Sequence, residues 1–223
     1  MSAPGTPAEL LVRLYRVLLA AFGPQHWWPG ETPFEVVVGA VLTQNTNWRN
    51  VERAIANLKA AKALTPGRLT HLSEEQLARL LQPSGFFRVK ARRLKALMGW
   101  LMETAGGDLG RLRRRSLARL RRELLALPGT GEETADSILL YALGKPTFVV
   151  DAYTRRALCR HGLTEPGAPY QKVKALFESS LPRQVSLFNE YHALLVELGK
   201  RFCRPQPRCA GCPARAVLGE PHL

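Results

Sequence analysis

The chain has 223 residues, 46% of them hydrophobic, and its 32 Lys and Arg against 18 Asp and Glu leave a formal net charge of +14. That length can bury one large core or two smaller ones, and the charge is the footprint of a nucleic-acid partner. No apolar run reaches the length of a bilayer span, and residues 1–9 lack the basic start and apolar stretch of a secretory signal, so the expected location is the cytoplasm, on the nucleoid, with no membrane partner.

Apolar residues at helical spacing predict an all-α chain. The expected helices, in chain order, cover 7–21, 34–42, 48–63, 73–81, 89–104, 117–127, 132–143, 152–161, 170–180 and 185–202. Pro and Gly punctuate the gaps at Pro66-Gly67, Pro83-Ser84-Gly85, Gly106-Gly107, Gly144-Lys145-Pro146 and Pro166-Gly167. Only Thr147-Phe148-Val149-Val150 reads as an extended run, and the sequence has no internal repeat. The positive charge is clustered. Arg88, Lys90, Arg92, Arg93 and Lys95 form one run; Arg111, Arg113, Arg114, Arg115, Arg119, Arg121 and Arg122 form another. Many of these belong on solvated helix faces, and only some are expected to meet phosphates.

Between the helices expected at 117–127 and 132–143 stands Leu127-Pro128-Gly129-Thr130-Gly131. Leu117, Leu120, Leu124 and Leu127 repeat at helical spacing before it, and Ala135, Ile138, Leu139 and Ala142 do so after it. This is a helix-hairpin-helix pattern. Its glycines permit the backbone of a tight turn. The helix that follows offers backbone N–H groups and a positive dipole end to a phosphate, a contact that holds nucleic acid without reading bases. Asp151 follows 20 residues after Gly131. At the start of the expected helix 152–161 it is either a simple N-cap or a carboxylate kept ionised for chemistry, and one residue can be both.

The segment from Leu127 to Thr154, LPGTGEETADSILLYALGKPTFVVDAYT, resembles the signature of the helix-hairpin-helix DNA glycosylases, the endonuclease III superfamily. The resemblance extends to Val41-Leu42-Thr43-Gln44-Asn45-Thr46 and to the C-terminal cysteines. It implies a two-lobed all-α fold. One lobe, residues 32–146, is a helical bundle ending in the hairpin; the other joins 1–31 to 147–223; the active site lies between them. It makes Asp151 the catalytic carboxylate and places Gln44, with Asn45 beside it, in the gap left by an extruded base. An ordinary hydrogen bond from Gln44 at a helix end is the plainer alternative.

Bifunctional endonuclease III has a lysine nucleophile two residues after the last hairpin glycine, whereas this chain has Glu133. A carboxylate cannot form the Schiff base that precedes strand cleavage, so AP-lyase activity is expected to be weak or absent. Gly131-Glu132-Glu133-Thr134-Ala135-Asp136 is similar to the 3-methyladenine DNA glycosylase branch. In that branch an aromatic-aromatic-Pro element stacks on the damaged base, a role that falls here to Trp27-Trp28-Pro29; packing is the other reading of paired tryptophans. Alkylated purines are cationic, so an indole face attracts them, Glu133 suits them as an acidic wall, and little general acid is needed to release them. Asp151 would stabilise the sugar cation or orient water. Lys200 resembles a pocket-lining residue of the same branch, although a solvated helix end accounts for it equally. The expected partner is double-stranded DNA containing damaged bases, bound by a monomer. The competing readings are an endonuclease III-like enzyme for oxidised or mismatched pyrimidines and a non-catalytic DNA-binding protein.

Of the four cysteines, Cys159 reads as a packing residue inside a helix, while Cys203, Cys209 and Cys212 form C-x5-C-x2-C. The resemblance makes these three ligands of a [4Fe-4S] cluster whose fourth cysteine is missing, leaving His222 as the nearby substitute. A partial cluster, a zinc site and no metal stay open.

Overall fold

The computed structural model describes residues 5–27 and 30–222, and among them every regular element is helical. Trp28 and Pro29 lie outside the described residues. No described helix is long and apolar enough to cross a membrane. The chain divides into two compact units, Met1–Trp27 with Pro146–Leu223, and Trp28–Lys145.

The continuous unit runs α2 (Pro33–Leu42), α3 (Trp48–Ala60), α4 (Pro66–His71), α5 (Glu74–Leu80), α6 (Phe87–Ala105), α7 (Leu109–Arg113), α8 (Leu117–Leu125) and α9 (Glu132–Ser137). Its axis is α2, whose Val36, Val37, Val38, Val41 and Leu42 are all buried. A helix that is apolar all round must be covered all round, and α3, α6, α9 and the turn after α9 cover this one. Thr32 starts α2 by accepting from Glu35 N at 3.1 Å, with Pro33 at the first helical position.

Three expectations need correction here. Pro66-Gly67 begins the short helix α4 and the stretch after Gly106-Gly107 holds the short helix α7, where only gaps are expected. Thr65 and Asp108 cap the orphan N–H groups, and a proline in a first turn forfeits no helical hydrogen bond. The helix expected at 132–143 is α-helical only to Ser137; Ile138–Ala142 widens into a π turn, with Leu143 N bonded to Ile138 O at 3.1 Å. Lys90, expected in the first run of solvent- or phosphate-facing charges, is 1% exposed. Its Nζ donates to Leu42 O at 2.8 Å and Ser84 O at 2.6 Å, satisfying the C-terminal end of α2. Burial, with nearby Arg93 adding to it, pushes its pKa down to about 8.

The discontinuous unit contains α1 (Pro7–Phe22), α10 (Ala152–Arg160), α11 (Tyr170–Ser180), α12 (Val185–Arg201) and α13 (Arg215–Leu218), the last of them unanticipated from the sequence. Thr6 and Glu9 form a reciprocal capping box at α1. The centre of this unit is aromatic. Phe148, from the extended run, stacks on Phe177 at 3.8 Å and meets Phe188 and Tyr191 edge-on. The Tyr191 hydroxyl donates to Leu11 O at 2.8 Å, which fixes α12 against α1.

Candidate active site

In the continuous unit, α8 and α9 are clamped by Arg121, whose guanidinium donates to both carboxylate oxygens of fully buried Asp136, at 2.9 and 3.2 Å. The hairpin turn lies between them. Thr130 N donates to Leu127 O at 3.1 Å and Gly129 takes a φ of +74°, in the left-handed region that favours glycine. Leu127 is half-buried, Thr130 buried, and Pro128, Gly129 and Gly131 exposed. Gly131 begins α9 with no side-chain cap, so no cap residue takes its first N–H groups. A Cβ on Gly129 would stand 2.1 Å from Arg93 Nε. Arg93 therefore lies directly across the turn, and its Nη1 donates to Gln44 Oε1. Gln44 Nε2 in turn donates to Gly129 O at 3.0 Å and Thr134 Oγ1 at 2.9 Å. Gln44 thus braces the hairpin from α2's end, while Asn45 beside it is exposed with φ +53°. Arg88, Arg92, Arg114 and Arg122 are exposed cations of the same unit, whereas Arg113, Arg115, Arg119 and Arg121 are engaged within it. Glu133 is exposed in the first turn of α9.

In the discontinuous unit, buried Val149 and Val150 carry the chain to Asp151, the N-cap of α10, whose Oδ1 accepts from Thr154 N at 2.7 Å. Its other oxygen stands 3.6 Å from His192 Nε2 on α12, with side-chain exposures of 13% for Asp151 and 5% for His192. Burial alone would raise this carboxyl. The opposing pull of His192 and the Thr154 amide outweighs it and holds Asp151 below the usual carboxylate range. A carboxylate kept ionised in a largely dry site can face a developing cation or take a proton from water. His192 is the functional candidate that sequence reading missed. The only signal was a histidine inside the apolar helical run Tyr191–Leu195, and nothing in that run names Asp151 as its partner.

Trp27 joins this pair: its ring centroid is 5.5 Å from that of His192, tilted by 41°. The segment leading to it is fixed by Gln25 N donating to Glu190 Oε1 at 2.6 Å. Trp27, His192 and Asp151 therefore form one cluster. Lys200 is exposed in the last turn of α12, outside this cluster. Gly199 beside it is needed for another reason: a Cβ there would meet Tyr153 Cδ1 at 2.2 Å, so its absence lets α10 and α12 pack ring against backbone.

The far end of α10 meets the cysteine loop. Arg156 Nε donates to Cys203 O at 2.6 Å, Arg160 to Arg204 O and Pro205 O, and Arg215 to Cys209 O. Cys203, Cys209 and Cys212 line one small cavity together with His161. Burial raises the Cys212 thiol, and the neighbouring Cys203 and Cys209 add to the effect. Among the described residues no three His, Cys, Asp or Glu side chains are close enough to hold a single metal ion as they stand. A single zinc needs thiolates about 4 Å apart, from Zn–S bonds of about 2.3 Å, whereas a cluster, with one thiolate per iron, takes a wider set. The donors fit the latter: three thiols on one cavity and, at its wall, the buried Nδ1 of His161 with no hydrogen-bond partner. The His222 side chain is exposed and does not line the cavity, and its backbone N donates to Arg160 O at 2.6 Å.

Residues 38–183 match the HhH-GPD superfamily of base excision DNA repair proteins. The chain is 46% identical over 209 residues to a Methanocaldococcus jannaschii protein, MJ1434, provisionally named a DNA repair glycosylase; the match covers 93% of this chain and 94% of that one. It is 34% identical over 181 residues to Thermotoga maritima endonuclease III, covering 81% and 79% of the two chains. The solved structure of an H. pylori 3-methyladenine DNA glycosylase bound to 1,N6-ethenoadenine superposes with a TM-score of 0.74 at 28% identity, covering 88% of this chain and 98% of that one. A helix-hairpin-helix turn, an Asp151 held in its charged form and these matches agree: the chain belongs to the HhH-GPD superfamily and is a base excision repair DNA glycosylase.

Proposed function

We propose that this glycosylase is monofunctional and releases N-alkylated purines, such as 3-methyladenine, from double-stranded DNA. The observation that carries the reading is the chain of Trp27, His192 and Asp151: an indole ring against a histidine that stands 3.6 Å from a carboxylate held in its charged form. A cationic base stacks on the indole by cation–π attraction. Its positive charge already weakens the glycosidic bond, so departure needs no strong acid. Asp151 then stabilises the positive sugar or orients the attacking water, and His192 is a positioning residue for it. The hairpin and Arg93 hold the backbone of the extruded strand. Glu133, at the position where bifunctional relatives carry an amine, supplies no nucleophile for strand cleavage. The likeness to the H. pylori enzyme supports the purine assignment. Cys203, Cys209 and Cys212 hold an iron–sulfur cluster, which when bound supplies a structural staple between the loop and α10.

A panel of duplexes carrying 3-methyladenine, an oxidised pyrimidine or a mismatch tests this, read as base release with and without borohydride. The expected result is excision of the alkylated purine, an intact abasic strand and little trapped enzyme. Preference for the oxidised pyrimidine, the direction in which the Thermotoga relative's name points, overturns the substrate assignment. Efficient borohydride trapping overturns the monofunctional one. No excision from any duplex overturns both.

A further inference from the structure

We propose that His161, through Nδ1, is the fourth ligand of the cluster, completing a Cys3His set with Cys203, Cys209 and Cys212. The inference rests on the reading that this loop holds a cluster at all, and it concerns the place left open by the absence of a fourth cysteine after Cys212.

Four observations meet on this side chain. His161 lines the same cavity as the three cysteines, which Cys159, on the same helix, does not. Its Nδ1 is buried and has no hydrogen-bond partner. A buried polar atom left without a partner destabilises the fold, a cost that bonding to a metal removes. The backbone at Gly219 and Leu218 stands within hydrogen-bonding reach of the ring. A histidine that ligates a metal typically donates its second ring N–H to a carbonyl, which fixes the tautomer and aims the free lone pair. The fourth observation is the surrounding charge. Arg160 Nη1 stands 3.5 Å from Cys203 Sγ and Arg215 reaches Cys209 O, so cations offset the thiolates that a cluster requires. The position follows from the fold. His161 closes α10 just before Gly162, whose φ of +69° turns the chain, and that end of α10 is bound to the cysteine loop by Arg156 and Arg160.

The test compares the full-length protein with His161→Ala, His161→Cys and His222→Ala, each purified without oxygen, by iron and acid-labile sulfide content and by pulsed electron paramagnetic resonance of the reduced cluster. The wild-type protein should contain a cluster and show strong nitrogen coupling from a directly bound imidazole. His161→Ala should retain about tenfold less iron. His161→Cys should keep the iron and lose the nitrogen coupling, which also decides the matter if the alanine variant does not fold. His222→Ala should match wild type. Full iron in His161→Ala, or a wild-type cluster without nitrogen coupling, overturns His161 while leaving the cluster in place. Wild-type protein free of iron, or holding zinc alone, overturns the cluster and the ligand together.

Discussion

Pro128 and Gly129 stand exposed at the hairpin turn, whereas Asp151 and His192 are buried against one another on α10 and α12. The turn works with backbone. Its glycine conformation and capless helix start are local properties, and the side chains around it, Gln44, Arg93 and Arg121, serve to stiffen it. The Asp151 cluster works with side chains that only the tertiary fold assembles, and its charge state is set by what packs on it. In the proposed reading, the phosphate site is a shape offered to solvent, while the site for cleaving a glycosidic bond is a charge protected from it. Substitutions should separate the two, one region changing affinity and the other changing rate.

The largest effect should come from Asp151→Asn. Asparagine still caps a helix, so the fold and DNA affinity should hold while the charge facing the sugar disappears. Base release under single-turnover conditions should fall by about a thousandfold or more, the scale of losing a preorganised electrostatic partner. Binding to undamaged duplex, measured by mobility shift, should stay within a factor of about three, well under the tenfold that 1.4 kcal/mol represents. Parent-rate excision would remove Asp151 from the chemistry. Equal losses of rate and affinity would erase the distinction between the two regions.

A smaller effect is expected at His192. With His192→Ala, burial, which raises the Asp151 carboxyl, is opposed only by Thr154, through its amide and its side chain. The carboxyl should then titrate at a higher pH. Because ionised Asp151 is the active form in this reading, the acid limb of the pH–rate profile should move upward, and the rate on that limb should drop by about tenfold, the factor that about 1.4 kcal/mol of lost charge stabilisation represents. A merely structural histidine would lower stability and leave the acid limb where it was.

The two regions also differ in how far the sequence discloses them. The hairpin was legible because Pro and Gly constrain the chain within five residues, and the family and the all-helical fold followed from it. Asp151 was legible as a position in a motif, but its partner His192 was not, since a histidine in an apolar helix carries no mark of what lies across from it. Lys90 misled for the same reason: in a run of arginines it reads as solvated charge, yet it is the one that turns inward to cap α2. Pro66 reads as a break because a helix start and a helix stop use the same residue types. The cysteine spacing announces candidate ligands in one place, while the proposed fourth, His161, lies far from it in the chain and looks like the ordinary end of a helix.

The smallest of these effects should come from Gly129→Ala, and it tests the other side of the comparison. A Cβ there meets Arg93 at its Nε, Cδ and Cγ, and the residue must also hold a φ of +74°. The backbone strain costs about 1 kcal/mol. The clash is with a long side chain that can move aside, although moving it breaks the Arg93–Gln44 hydrogen bond that braces the turn. Affinity for undamaged duplex should therefore fall by about five- to tenfold, equivalent to roughly 1 kcal/mol. The rate of base release at saturating enzyme should hardly change, because Asp151 and His192 belong to the other unit. Arg93→Ala in the same background provides the control. Removing the obstructing side chain should not restore affinity if Arg93 itself holds the strand, and should restore it if the clash is the whole effect. A large loss of saturated rate in Gly129→Ala would mean that the turn positions the reacting nucleotide as well as its phosphates.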